Sequence, residues 1–506
     1  MKTFYYNLNI VHSRFSTFFE RNNHLHTERF ALPHERAKYS SPTPADYGLL
    51  LGIDEFSRYL QINRPRLGNL LVDAPTGGGK TTLFKHQLIA WKENAIINDI
   101  KGGELYNDTA DFRRQFSDVY VYDPTTISHK FNPLQGKTTE EDFYGIAKLL
   151  LYKHDEKDPS FTERAIRMLK ILFIIAQKTG EPPFSFVYRA SRMGINSLTR
   201  MIAGIDRELA GRLVDGDYNA QKDYTENKYL VDSWSALTSR LEPFLTETVA
   251  NSLSGSDFRI VDLLTGERPV TIYLKWPESK LFSLQPVMKL LWGTFINELR
   301  DHGNETTRKT MLLIDEGGVT YIPELQDAMA TLNSRGVSFV IGIQELSQLD
   351  MYGKANAQTI LGNCSKIFYE QESLETAKFV AERLGGKSAF SSSQSTHGEE
   401  VSEGKHEQKM PLMTPQEIMG MDETVIIFVR GLRYAIKARR MPEFVKPDVT
   451  PLLLPAHALQ SQFHPPPSPS MPPAVALPPV LPIHRDHTLA THNSWELRFT
   501  QRILAL

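Results

Sequence analysis

The chain has 506 residues, of which 41% are apolar and 23% charged, so it is long enough for two or three domains with sizeable cores. Its 57 Lys and Arg residues nearly balance 59 Asp and Glu residues, which excludes an argument from overall charge for a nucleic-acid partner and leaves only a local basic stripe. One cysteine, Cys364, excludes an internal disulfide and a Cys-rich metal site. The longest apolar runs fall well short of the ~20 residues of a membrane-spanning helix.

The pattern along the chain predicts an α/β fold with a mainly parallel central sheet. Residues 1–47 show no clear period and no signal peptide, and we interpret them as a lead-in segment without a transmembrane helix. From residue 48 short apolar runs alternate with helical stretches, which is typical of a sheet covered on both faces. The first predicted elements are the strands Asn69–Asp73, Ala95–Asp99 and Val119–Tyr122 and the helix Lys80–Trp91.

Helical stretches without strands follow, and they predict an all-α insertion over 138–229 that divides the α/β domain into residues 48–137 and 230–446. Within the second part, the polar, Ser-rich segment Ser388–Glu407 predicts a mobile surface loop. The tail, 447–506, is Pro-rich and is expected to be disordered.

A glycine-rich turn follows the first predicted strand of the sheet. Residues 74–81, APTGGGKT, match G-x-x-x-x-G-K-[ST] except that Ala74 replaces the first Gly. Backbone N–H groups of such a turn surround a phosphate chain, its lysine reaches the β- and γ-phosphates, and its Thr hydroxyl binds Mg²⁺. The predicted nucleotide-binding residues are Thr76, Gly77, Gly78, Gly79, Lys80, Thr81 and Thr82.

An acidic pair follows a second apolar strand, Thr310–Asp315. The Asp315 carboxylate is suited to hold Mg²⁺, and Glu316 is suited to polarise an attacking water. Acidic pairs after apolar strands are common, so this pair gains its meaning from the preceding glycine-rich turn. Together the two motifs predict a P-loop NTPase (RecA-like) core that binds ATP with Mg²⁺.

Two further polar residues are candidates for the same site. Gln344 ends the next strand and is suited to sense the γ-phosphate or to position water, or else it simply begins a helix. Arg335 precedes that strand; it either complements the C-terminal dipole of a helix or serves as an arginine finger donated to a neighbouring subunit of a ring.

Several ordered blocks make the chain from about Gly48 to Val445 resemble the TraG/TraD-like coupling proteins of conjugation and type IV secretion, relatives of the FtsK and HerA DNA pumps. The blocks are APTGGGKTT at 74–82, NDIKGGELYNDTA at 98–110, FNPL at 131–134, LLIDEGGVTYIPEL at 312–325, SRGVSFVIGIQELSQL at 334–349 and ILGNCSKIFYEQESLETAKFVAERLG at 360–385. In the second block Asp99, Lys101 and Glu104 match the family's D-x-K-G-E pattern, for which we expect a role beside the nucleotide site and the ring interface.

The resemblance implies a homo-hexameric ATPase that recruits DNA, expected to be single-stranded, with a relaxase-type protein cargo and drives them towards a type IV secretion channel. It assigns Lys80 and Thr81 to Walker A, Asp315 and Glu316 to Walker B, Arg335 to the trans arginine and Gln344 to the post-strand glutamine. It further implies a cytoplasmic location at the inner face of a bacterial cell membrane. The helical insertion corresponds to the family's all-α domain.

The chain departs from the family pattern at two places. Gly317 and Gly318 follow the acidic pair where relatives carry a Phe and a small residue or Pro, and the transmembrane helices with which relatives usually begin are not seen. A soluble subtype, a separate anchor subunit or a late-starting gene assignment would each account for the second departure. Two alternative functions therefore stay open: a soluble HerA/FtsK-like DNA translocase without a secretion role, and an ATP-binding scaffold that does not hydrolyse nucleotide.

Overall fold

A computed structural model of the chain describes residues 28–64, 67–152, 160–304, 307–397 and 400–447. Most of the predicted lead-in, and all of the predicted disordered tail 447–506 except Pro447, lie outside the described residues. Within the described ranges, every helix is too short or too polar to span a bilayer.

The described residues form a large sheet and a separate hairpin. The strands, in chain order, are β1 (Ser40–Ser41), β2 (Leu49–Ile53), β3 (Tyr59–Ile62), β4 (Asn69–Asp73), β5 (Asn94–Asp99), β6 (Asp118–Tyr122), β7 (Val270–Lys275), β8 (Thr310–Ile314), β9 (Val337–Ile343), β10 (Cys364–Phe368), β11 (Gly386–His397), β12 (Glu400–Pro411), β13 (Thr424–Phe428) and β14 (Ile436–Arg439). The predicted strands are therefore confirmed to within two residues at each end.

The sheet order among the described strands is β1-β3-β2-β14-β13-β10-β4-β9-β8-β5-β7-β6. The seven strands from β10 to β6 run parallel, and the strands from β1 to β13 add an antiparallel flank. All residues of β4, β5, β8 and β9 are buried, as continuous apolar runs in a sheet covered on both faces require. The prediction of an α/β fold with a mainly parallel sheet is confirmed.

Helices cover both faces of this sheet. Those of the α/β domain are Pro33–Arg36 (α1), Lys80–Ala90 (α2), Glu104–Arg113 (α3), Leu281–His302, Leu325–Thr331, Lys354–Asn363, Leu374–Leu384 and Pro415–Met419. The helix Leu325–Thr331 continues as a 3-10 turn, Leu332–Arg335, before β9.

Between β6 and β7 the described chain is helical. These helices are Glu140–Leu151 (α4), Ser160–Thr179 (α5), Pro183–Ala190 (α6), Ile195–Ile205 (α7), Arg207–Val214 (α8), Lys228–Leu241 (α9), Glu247–Ser252 (α10) and Ile260–Thr265 (α11). The boundary predicted at 229 falls inside α9, which packs on the long central helix α5. The helical region therefore continues to Thr265, and the sheet resumes only at β7. The five helices after β7 are α12 (Leu281–His302), α13 (Leu325–Thr331), α14 (Lys354–Asn363), α15 (Leu374–Leu384) and α16 (Pro415–Met419).

Local signals explain where the helical region begins. Thr139 accepts a hydrogen bond from the Asp142 amide at 3.1 Å, and the Asp142 carboxylate accepts one from the Thr139 amide at 3.1 Å. This reciprocal capping box satisfies two of the amide groups that every helix leaves unpaired at its start. Apolar residues at helical spacing, such as Phe143, Ile146 and Leu150, then bury one face of α4.

The predicted mobile loop at 388–407 is wrong. Strands β11 and β12 pair antiparallel from Gly386 opposite Pro411 to His397 opposite Glu400, and they form a two-stranded sheet of their own. The sequence of these two strands is mostly polar and shows no regular alternation of apolar and polar residues. The hairpin therefore escapes a prediction based on periodicity.

Candidate functional site

The glycine-rich turn joins β4 to α2 and depends on glycine at specific positions. Gly77 has φ +81° and Gly79 has φ +106°, both in the left-handed region that other residues avoid. A Cβ on Gly78 would lie 3.1 Å from the Pro75 ring, so a side chain would crowd the turn. Lys80 then begins α2, whose first turn carries no acidic residue. The turn and the positive N-terminal end of an 11-residue helix together are suited to bind phosphate.

Lys80 and Glu316 form a buried ion pair at the end of this turn. The Lys80 Nζ lies 2.9 Å from the Glu316 Oε2, and their side chains are 5% and 3% exposed. The Gln344 Nε2 donates to the same Glu316 oxygen at 2.9 Å. The exposed Thr76 hydroxyl lies 3.4 Å from the Gln344 Oε1, on the solvent side of this group. Strand order explains this meeting, because β9, which ends beside Gln344, lies between β4 and β8.

Asp315 lies beside this group with Lys101 as its nearest cation. The Lys101 Nζ is 3.7 Å from the Asp315 Oδ2 and donates to the Thr81 hydroxyl at 3.1 Å. Neither Asp315 oxygen has a hydrogen-bond partner among the described residues, although the residue is fully buried. Burial raises the pKa of Asp315, and the ammonium groups of Lys101 and Lys80 oppose that shift.

The three residues of the D-x-K-G-E block have separate contacts. Asp99 ends β5 and accepts a hydrogen bond from the Tyr106 amide at 2.9 Å, which ties the turn to α3; burial raises its pKa to about 6. Lys101 points to the site, as described above. Glu104 is 2.6 Å from the Lys85 Nζ and braces α3 against α2. Of the block, Lys101 therefore contacts the candidate metal ligands.

Two glycines permit the close approach of these groups, and sequence reasoning missed the first. A Cβ on Gly342, in β9, would lie 2.5 Å from the Asp315 carbonyl oxygen and 2.6 Å from the Lys80 Cδ. A Cβ on Gly318 would lie 2.3 Å from the Gln348 side chain, whose Oε1 accepts from the Gln344 amide at 2.8 Å. The departure from the family pattern after the acidic pair thus makes room for Gln348.

Asp73 is a second residue that sequence reasoning missed. It ends β4 directly before the glycine-rich turn, is fully buried, and has no hydrogen-bond partner for either carboxylate oxygen among the described residues. Burial raises its pKa to about 7; the nearby Gln371 side-chain amide and the charge of Lys80 oppose the shift, and the charges of Glu345 and Glu316 add to it. An acidic residue at the end of an otherwise apolar strand was the available signal.

Arg335 lies away from this group within the same chain. It precedes β9, whereas Gln344 follows it, so seven strand residues, or about 23 Å, separate the two ends. Its Nη1 donates to the Gly303 carbonyl, directly after the last residue of α12, at 3.3 Å. Arg335 therefore has no contact with its own chain's Glu316 among the described residues, and any role at a nucleotide site requires a neighbouring subunit.

The chemistry of the donor set fits Mg²⁺. Thr81 offers a hydroxyl and Asp315 two carboxylate oxygens without hydrogen-bond partners among the described residues, and Mg²⁺ prefers such hard oxygen ligands. A cationic group, the Lys101 ammonium, already lies between the two. The described residues contain no group of three or more His, Cys, Asp or Glu side chains that could hold a metal ion by itself.

The sheet order, the turn and the acidic pair define a RecA-like P-loop NTPase fold. Comparison with known families narrows the class: the profile described as "Type IV secretory system Conjugative DNA transfer" matches residues 58–464. The chain belongs to this family. Two curated relatives, both conjugal transfer protein TraG from Escherichia coli, are 24% identical over 413 residues and 23% identical over 412 residues. Each match covers 72% of this chain and 63% of the relative, so the chain spans less than two thirds of their length.

Solved structures of the conjugative coupling protein TrwB share the fold. Its trigonal form with sulphate, TrwBdeltaN70, has a TM-score of 0.63 at 17% identity and covers 83% of this chain and 95% of that one. TrwB in complex with ADP and Mg²⁺ has a TM-score of 0.60 at 19% identity, covering 76% and 87%. TrwB with the ATP analogue ADPNP has a TM-score of 0.60 at 18% identity, covering 76% and 88%.

Proposed function

We propose that this chain is the ATP-hydrolysing coupling protein of a conjugative DNA-transfer system, which moves DNA or a DNA–protein complex towards a type IV secretion channel. The observation that carries the proposal is the buried group formed by Lys80, Glu316 and Gln344, with Thr81 and Asp315 beside it, at one edge of the sheet. Family membership supplies the DNA-transfer context. The TrwB complexes with ADP and Mg²⁺ and with ADPNP support nucleotide as the ligand.

The contacts suggest how the residues would act on ATP. Lys80 would leave Glu316 and bind the β- and γ-phosphates, since a phosphate chain offers more negative charge than one carboxylate. Glu316, freed of its cation, would then accept a proton from the attacking water. Gln344, already bonded to Glu316, would orient that water against the γ-phosphate. Mg²⁺, held through Thr81 and Asp315, would supply neutralisation of phosphate charge.

Moving a cargo would require several subunits to act together, in addition to the chemistry of one nucleotide site. A homo-hexameric ring would bring Arg335 of one subunit to the nucleotide of the next, which its distance from its own site permits only in trans. The cargo would be single-stranded DNA with a relaxase-type protein. The ring would work in the cytoplasm against the inner face of a bacterial cell membrane, where channel components receive the cargo.

ATP hydrolysis by the purified full chain, with and without single-stranded or duplex DNA, tests the proposal. We expect DNA-stimulated hydrolysis that falls about a hundredfold or more in Glu316→Gln, the usual loss when a general base is removed, with nucleotide binding retained. Glu382→Gln, at an exposed position of α15, is the matched control and should leave the rate unchanged.

The alternatives predict other results. If the chain binds nucleotide but hydrolyses none under any of these conditions, the proposed ATPase activity is contradicted and an ATP-binding scaffold is indicated. DNA-stimulated hydrolysis without binding of relaxase or channel proteins would indicate a soluble HerA/FtsK-like translocase instead of a coupling protein.

A further inference from the structure

Lys101 occupies a particular place among the charges of the site. It lies in the turn after β5, and β5 pairs with β8 such that Asn98 is opposite Ile314, the residue before Asp315. From this turn the ammonium group reaches both predicted metal ligands, at 3.1 Å from the Thr81 Oγ1 and 3.7 Å from the Asp315 Oδ2. A cationic group thus lies between the same two oxygen donors that Mg²⁺ would use.

The electrostatics of Asp315 explain why a cation is needed there. The carboxylate is fully buried, its oxygens have no hydrogen-bond partner in the described part of the chain, and Glu316 and Asp99 add negative charge nearby. An unpaired buried carboxylate is costly. Among the described residues Lys80 is the other cation near Asp315, but Glu316 holds it at 2.9 Å, so Lys101 is left to neutralise Asp315.

The exposure of Lys101 indicates that its ammonium group can move away from Asp315 and Thr81. Its side chain is 36% exposed, in contrast to 5% for Lys80, and two glycines with φ +63° and +93° follow it in the turn. Its ammonium group can therefore move to solvent without disturbing the core, whereas Lys80 cannot.

We propose that Lys101 is the internal counter-cation of the metal site: it neutralises Asp315 and engages Thr81 while nucleotide is absent, and it is displaced to solvent when a divalent cation binds with nucleotide. This inference rests on the proposed function, because it assumes the metal–nucleotide site. Lys101 is a positioning residue in this role. It keeps the two ligands converged, and it competes with the metal for them.

The competition gives a prediction with a definite sign. In Lys101→Met the affinity for ADP with Mn²⁺ should rise about two- to fivefold, the range expected when a partly exposed ion pair no longer has to be broken. The affinity for ADP in the presence of EDTA should not rise, because without Lys101 or a metal the Asp315 carboxylate repels the phosphates. The thermal midpoint in EDTA should fall, and saturating ADP with Mg²⁺ should remove the difference from wild type.

Titration calorimetry of the full chain with ADP and Mn²⁺, and with ADP and EDTA, measures these affinities. Lys85→Met is the matched control, because the Lys85 ammonium group pairs with Glu104 and Asp108 and makes no ion pair or hydrogen bond with the side chain of Thr81 or Asp315 in the described structure. The control should leave both affinities unchanged. A weaker affinity of Lys101→Met for ADP with Mn²⁺ would overturn the proposal and make Lys101 a phosphate ligand; an unchanged affinity would overturn it as well.

A measurement on the wild-type protein keeps the test independent of folding. Lysine labelling with an N-hydroxysuccinimide ester, read by peptide mass spectrometry, should increase at Lys101 when ADP and Mg²⁺ bind and should decrease at Lys80. Equal or reduced labelling of Lys101 would refute its displacement. If the wild-type protein binds no ADP with Mg²⁺ at all, the proposed function itself is contradicted. If it binds ADP with Mg²⁺ but the labelling of Lys101 does not increase, only the inference about Lys101 is contradicted.

Discussion

Gly342 offers the sharpest test of the site geometry. A Cβ at this position of β9 would lie 2.5 Å from the Asp315 carbonyl oxygen, 2.6 Å from the Lys80 Cδ and 2.9 Å from the Phe84 ring. All three distances are shorter than atoms tolerate, and the first neighbour is backbone. Gly342→Ala must therefore move the end of β8 or the lysine. Overpacking of this kind costs about 1–3 kcal/mol of folding stability.

The substitution should also lower the affinity for ADP with Mg²⁺ by about tenfold or more, because a shift of under 1 Å in a positioned group can cost that much. Thermal unfolding and titration with a fluorescent ADP measure the two effects. Gly362→Ala in α14 is the control: a Cβ there meets nothing within 4 Å, so helix propensity predicts a gain of about 0.5–1 kcal/mol with unchanged affinity. Wild-type stability and affinity in Gly342→Ala would refute the described packing of Lys80 against β9.

Two further substitutions probe the neighbouring residues. Asp73 has an ordinary pKa of 3.8 that burial raises to about 7, so its contribution to stability is present below pH 4 and is lost as pH rises through 7. Asp73→Asn should therefore match wild type in thermal midpoint near pH 4 and exceed it increasingly from pH 4 to 7, with no further change above pH 7; a constant difference between pH 4 and 7 would contradict the assignment. Gln348→Ala removes the acceptor of the Gln344 amide and should lower the hydrolysis rate about threefold to tenfold with little effect on ADP binding, measured by steady-state kinetics and titration; an unchanged rate would show that Gln344 is positioned without it.

Local patterns in the sequence predicted the strands, the glycine-rich turn and the acidic pair, because each of these is specified by a few adjacent residues. Residues 69–82 contain a buried strand, a turn that needs glycine and a helix start in one continuous stretch. The same holds for β8 and the acids after it. The class of fold follows from such stretches without knowledge of which strands are neighbours.

Features that depend on which strands are neighbours in the sheet could not be predicted from the sequence. Gly342 matters only because β9 lies between β4 and β8, and Lys101 reaches Asp315 only because β5 lies beside β8; strand order is not encoded in any local pattern. The family resemblance led us to expect Lys101 beside the nucleotide site, but not its contact with Asp315. The end of the helical region was missed at 229 for a related reason: α9 belongs to it by packing on α5, and sequence separation conceals that contact.

The ion pairs of the site link metal and nucleotide binding. Each lysine is matched to one acid, Lys80 to Glu316 and Lys101 to Asp315. A phosphate chain alone can replace Glu316 as the partner of Lys80, yet it adds negative charge beside an Asp315 that still needs its cation. A divalent cation alone can replace Lys101, yet it leaves Lys80 bound to the proposed general base. With both ligands present, phosphate replaces Glu316 as the partner of Lys80, and the divalent cation replaces Lys101 at Asp315 and neutralises the added phosphate charge, so each ligand should strengthen the binding of the other.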